Sequence, residues 1–158
     1  MVDFGRMIGT LVDAEVEFII VGGIAAVAHG SSRVTQDLDL VYARNRGNLE
    51  RLVAALEGHS PYLRGAPPGL PFVLDVDTLR LGLNFTLTTD MGPIDLLGEI
   101  TGGGGFEALV DHSIGLDVFG HRCLCLDLET LIRVKRAAGR PRDIEAIAEL
   151  ESIRNGSE

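Results

Sequence analysis

The stretch Val21–Val41, VGGIAAVAHGSSRVTQDLDLV, constrains the fold of this chain more than any other. An apolar run, Phe18-Ile19-Ile20-Val21, meets the pair Gly22-Gly23, and the small residues Ile24 to Ala28 follow. Further on, Asp37 and Asp39 flank Leu38 and lead into Leu40-Val41. Both apolar runs read as buried strands. Side chains alternate along a strand, so Asp37 and Asp39 project together while Leu38 and Leu40 enter the core. Two ionised carboxylates that close repel each other, and a divalent cation, which prefers oxygen ligands, is the simplest compensation. Such a pair taken alone also suits the solvated face of an edge strand. The glycines upstream tip the balance. Glycine lets the backbone approach a ligand closely, and a helix N-terminus offers free N–H groups to phosphate.

Val21-Gly22-Gly23 with Asp37-Leu38-Asp39-Leu40 resembles the signature hG[GS] then Dh[DE]h, with h apolar, of the nucleotidyltransferase superfamily with the DNA polymerase β-like fold. Arg33-x-Thr35-x-Asp37 is similar to the R-x-T-x-D version of small prokaryotic members, including toxin–antitoxin and abortive-infection nucleotidyltransferases. Two later patches fit in the right order. Thr89 to Leu97 looks like T-x-x-G-x-h-D-h-h, and Leu131 to Asp143 looks like L-I-x-x-K-x-x-A-G-R-x-x-D. One position departs: many active members carry Ser after the first glycine, its hydroxyl on a phosphate, where this chain has Gly23.

The resemblance implies a fold, a chemistry and a set of site residues. The fold is α/β: a small mixed sheet flanked by helices, then a C-terminal helical pair. A nucleoside triphosphate lies against Gly22 and Gly23, with Arg33, Thr35 and Lys135 also facing the nucleotide or the acidic cluster. Asp37, Asp39 and Asp95 are the catalytic acids and hold Mg²⁺ or Mn²⁺, and Asp95 activates the attacking hydroxyl. The acceptor stays open among an RNA end such as that of tRNA, a protein hydroxyl and a small molecule. ATP is one candidate nucleotide, and a cognate antitoxin is a candidate partner. The alternative is a nucleotide-, RNA- or partner-binding module of the same fold with little or no turnover; a weaker one is metal-dependent hydrolysis.

Composition sets bounds. A chain of 158 residues suggests one domain over 1–158, with a sheet-bearing core over 1–126 and helices over 127–158. A hydrophobic content of 46% argues against disorder. No apolar run reaches the length of a membrane span, and acidic residues interrupt the N-terminal apolar segment, so no signal peptide and a cytoplasmic location are expected. A net charge of −9 disfavours broad nonspecific binding to nucleic acid while leaving room for a tRNA end on a local basic patch. Cys123 and Cys125, two apart on an expected strand, read as buried apolar residues, neither a disulfide nor a zinc site.

The remaining expectations follow the chain. Phe4 to Glu15 reads as a helix, Glu17 to Val21 as a strand, and Ile24 to His29 as a helix ended by Gly30, with His29 in a capping or packing role. A helix over Asn45 to Leu56 leads into His59 to Pro71, whose four prolines mark a mobile surface loop. Asp75-Val76-Asp77, a second D-x-D without a glycine cradle, reads as a polar edge or turn. Leu79 to Thr89 alternates like a half-buried strand and turns at Asp90-Met91-Gly92 into the strand Pro93 to Leu97, which carries Asp95. Gly102 to Gly105 reads as a flexible linker before a helix over Phe106 to Asp111. A hairpin joins Leu116–Phe119 to Arg122–Leu126. Asp127 caps a helix, and a last helix runs from about Arg142 to Ile153.

Overall fold

The computed structural model describes residues 2–156. α1 (Phe4–Asp13) starts at Asp3, whose carboxylate accepts from the Arg6 amide, and buries Met7, Ile8 and Leu11. β1 (Phe18–Val21) runs directly into α2 (Gly22–Ala28). β2 (Leu38–Tyr42) returns, and Asn45 caps α3 (Arg46–Leu56). β3 (Tyr62–Leu63), α4 (Val76–Leu81), β4 (Phe85–Thr89) and β5 (Gly92–Leu97) follow. β6 (Glu99–Ile100) and β7 (Gly104–Gly105) pair ahead of α5 (Phe106–Leu109). β8 (Ser113–Val118) and β9 (His121–Leu126) form a hairpin before α6 (Leu128–Ala138) and α7 (Asp143–Arg154).

Seven strands form one sheet in the order β3-β4-β5-β2-β1-β9-β8. The pairs β2–β5 and β1–β9 are parallel and the other neighbours antiparallel, so the sheet is mixed. β1 and β2 sit near the middle, and every residue of Phe18–Val21 is buried. Continuous apolar sequence is what a strand covered on both faces requires. Ile19, Ile20, Leu38, Leu40, Ile94 and Leu96 are fully withdrawn from water. Each contributes about 1.5–3 kcal/mol, and together they form the rigid backing of the site. Asn48, also fully buried, accepts from the Glu17 amide at 2.6 Å and donates to the carbonyls of Glu17 and Ala43 at 3.0 and 2.8 Å. It ties the entry of β1 to the exit of β2. No helix among the described residues is long and apolar enough to cross a membrane.

Three expectations are corrected. Leu79 to Thr89 is not one strand: its first part belongs to α4, and β4 begins only at Phe85. Asp75 is the N-cap of that helix, its carboxylate accepting from the Thr78 amide at 2.8 Å, and Asp77 lies in the first turn. The second D-x-D is therefore a helix start, neither edge nor turn. The cap satisfies an orphan amide and makes the helix locally favoured, so Leu79 is buried while Leu81 faces solvent. Gly102 to Gly105 is likewise no featureless linker. Its second half forms β7, and Gly102 lies close against Ala137 of α6.

The other elements agree with the sequence pattern to within a few residues, Asp90-Met91 linking β4 to β5 and Asp127 capping α6 at 2.8 Å. His29 packs as expected, with Nε2 at 2.7 Å from the Leu126 carbonyl. Burial pushes the Cys125 thiol up to about 12 and that of Cys123 to about 11, so both stay protonated, as expected of packing residues.

Candidate active site

Strand register brings the three predicted acids together. Asp39 pairs with Asp95 across parallel β2 and β5, and Asp39 faces Val21 across β1. Directly opposed residues of a sheet share a face, and Asp37, two residues before Asp39, points the same way. One carboxylate oxygen from each of Asp37, Asp39 and Asp95 lies within 4.8 Å of the others. Asp39 Oδ1 is buried with no hydrogen-bond partner. Burial, reinforced by the charges of Asp37 and Asp95, pushes the Asp39 carboxyl up to about 8. Converging hard oxygen donors, one of them orphaned, fit a divalent cation.

The glycine pair is packed against this cluster. Gly22 has φ +65°, and a Cβ there would collide with the Asp39 carboxylate. At Gly23 a Cβ would lie 2.6 Å from Thr35 Oγ1. The hydroxyl of Thr35 thus occupies the space in which a serine at position 23 would place its side chain. Gly22 allows close approach by the protein's own acid, and Gly23 by Thr35, a reason for glycine that sequence alone did not supply.

Arg64 is a member of the site that the sequence reading missed. It follows β3, inside the proline-rich segment read as a mobile loop, and its amide bonds the Thr86 carbonyl at 3.0 Å. Its Nη2 donates to Asp95 Oδ1 at 2.7 Å and to the Leu87 carbonyl at 2.7 Å, and Nη1 lies 3.8 Å from Asp37 Oδ2. The only local sign of it is a lone arginine among prolines and glycines.

A cavity of about 470 Å³ opens beside the acids and is lined by Gly22, Gly23, Arg33, Thr35, Lys135 and Arg140 among others. All five residues predicted to face the nucleotide therefore border one space. Arg33 also braces the wall, pairing with Glu145 at 3.3 Å and Glu149 at 3.8 Å on α7. Ser31 Oγ donates to Glu149 at 2.6 Å, so α7 holds the stretch from Ser31 to Arg33. Lys135 Nζ lies 3.7 Å from Asp143, which Arg140 also grips at 2.8 Å. Burial would raise the Asp143 carboxyl, but the Arg140 hydrogen bond and the charges of Arg140, Lys135 and Arg142 outweigh it and hold it low. A second cavity of about 490 Å³ meets the first at Gly22, Asp39, Asp95, Lys135 and Arg140.

Several solved structures share this arrangement of strands and helices. The lincosamide antibiotic adenylyltransferase LnuA, lincomycin-bound, matches with TM-score 0.62 and 16% identity over 96% of this chain and 98% of that one. This chain has the nucleotidyltransferase fold. A Thermotoga maritima protein described as a candidate nucleotidyltransferase matches with TM-score 0.57 and 13% identity, over 91% and 87% of the two chains. The antibiotic-resistance factor ANT(2″)-Ia matches with TM-score 0.54 and 19% identity, over 94% and 77%. No family model and no curated protein matches the sequence. Here β1, β2 and β5 lie side by side in the sheet, and α2 continues directly from the C-terminal end of β1.

Proposed function

We propose that the chain is a metal-dependent nucleotidyltransferase that moves a nucleoside monophosphate from a triphosphate to a hydroxyl acceptor. The observation that carries this reading is the convergence of Asp37, Asp39 and Asp95 at the rim of a cavity bearing Arg33, Lys135 and Arg140. The likeness to LnuA, and to ANT(2″)-Ia, which is also known in complex with adenylyl-2″-tobramycin, supports it and favours ATP as donor.

Asp37, Asp39 and Asp95 would hold Mg²⁺ or Mn²⁺, which supplies charge stabilisation for the attacking and leaving oxygens of an in-line displacement. The rest falls to the chain's own residues. Lys135 and Arg140 face the phosphates, and the Thr35 hydroxyl stands where the serine of related sequences would. Asp95 takes the proton of the acceptor hydroxyl as its oxygen bonds to the α-phosphorus. The bond from the α-phosphorus to the bridging oxygen breaks, and its electron pair leaves with pyrophosphate. A second reading, a binding module without turnover, draws on Arg64, which already engages Asp95 Oδ1.

Incubation with each α-labelled triphosphate, Mg²⁺ and host-cell extract tests the proposal. Pyrophosphate release together with labelled acceptor is expected. Triphosphate binding without any release would establish the binding module instead.

A further inference from the structure

Asp39 and Asp95 stand where two cavities meet. Gly23, Arg33 and Thr35 line the first alone, while Gly22, Lys135 and Arg140 line both. The second lies between the β5–β6 bend and α6; its walls include Leu97, Ile100, Leu131 and Val134, and its polar groups include Glu99 and Thr101. Glu99 has no ion-pair partner among the described residues. A carboxylate on an apolar wall repels phosphates and suits a cation.

In-line displacement separates the two reactants in space. The attacking oxygen approaches the α-phosphorus from the side opposite the departing pyrophosphate. With the β- and γ-phosphates in the first cavity beside Gly23 and Arg33, the acceptor oxygen arrives from the second, alongside Asp95. We propose that this second cavity is the acceptor site, and that it takes a small hydroxylated molecule with an apolar body and an amine facing Glu99. The inference rests on the transferase reading above and deepens it. Its volume, about 490 Å³, lies in the range of small-molecule sites, which run from about 300 to 1,000 Å³. The apolar walls suit desolvation of a compact body.

The test uses the whole chain with an α-labelled triphosphate, Mg²⁺ and host-cell extract separated into small-molecule filtrate, RNA and protein. Two variants accompany it: Ala138→Trp, at an exposed position on the cavity rim, and Glu99→Gln, also exposed. Label should appear in the filtrate. It should be lost in Ala138→Trp and fall about tenfold in Glu99→Gln, the cost of one charge-assisted contact, with triphosphate affinity by calorimetry unchanged in both. Label confined to RNA or protein overturns the inference and leaves the transferase reading standing. Triphosphate affinity that collapses in Ala138→Trp gives the cavity to the nucleoside and also overturns it. No label and no pyrophosphate in any fraction removes the transferase reading, and the inference with it.

Discussion

Arg64 Nη2 lies 2.7 Å from Asp95 Oδ1, and the same nitrogen is anchored 2.7 Å from the Leu87 carbonyl. The third acid is therefore clamped to the neighbouring strand by a cation that the protein carries itself. That cation lowers the negative potential a divalent ion would meet, and it fixes the carboxylate's orientation. Arg64→Met should bind Mn²⁺ at least about threefold more tightly, because one positive charge leaves the cluster. Nucleotidyl transfer should fall in the same variant, because Asp95 loses its orientation. Titration calorimetry reads the first effect and pyrophosphate release the second; weaker Mn²⁺ binding would show that Arg64 chiefly builds the metal site.

The first two acids carry the metal-dependent nucleotide affinity. Asp37→Asn/Asp39→Asn should stay folded and lose most Mg²⁺- or Mn²⁺-dependent triphosphate binding, checked by calorimetry with and without the metal. Unchanged binding in a folded double variant would remove the proposed site.

Asp95→Asn should separate binding from chemistry. The side chain is nearly isosteric, so triphosphate affinity should largely survive. Transfer should drop by roughly a hundredfold or more, the ordinary worth of a positioned base. Transfer at the wild-type rate would mean that Asp95 does not act on the acceptor.

The Asp39 carboxyl predicts a pH dependence. Burial and two neighbouring acids raise it from 3.8 to about 8. Between those values the folded metal-free protein holds a proton that the unfolded chain has lost, so this group's contribution to stability falls as pH rises. Below about 4 both states are protonated and the contribution is flat. Melting temperatures across this window should show a steeper decline in wild type than in Asp39→Asn. Mn²⁺ binding must displace the same proton, so its affinity should climb with pH up to about 8 and then level off.

The rival acid pair should be inert toward metal. Asp75 is an exposed helix cap and Asp77 an exposed first-turn residue. Asp75→Ala should lower the melting temperature slightly through the lost cap, while Asp75→Asn/Asp77→Asn leaves calorimetric metal and triphosphate binding unchanged.

The residues from Val21 to Val41 show how far local pattern carries. The apolar runs, the glycines and the two-residue spacing of Asp37 and Asp39 are set by neighbours in the chain, so strand, bend and shared face were all legible there. Asp95 was legible only through a resemblance: its place beside Asp39 is a matter of strand register, a pairing between residues far apart in sequence. Local pattern misled at Leu79 and Leu81, where alternation suggested a strand but the Asp75 cap starts a helix.

What the sequence by itself determined is the chemistry on offer: a strand bearing two acids, a glycine-marked helix start, a third acid on a later strand, and basic residues near the end. Only the tertiary structure decided how these meet. It set Thr35 against Gly23, lowered Arg64 from a proline-rich segment onto Asp95 and Asp37, and folded α7 over the Arg33 segment. Each of these contacts joins groups that no short-range periodicity links. They form because burying the sheet's apolar residues, such as Ile20, Leu40 and Leu96, forces the strands into one register and carries the polar groups at their ends along with it.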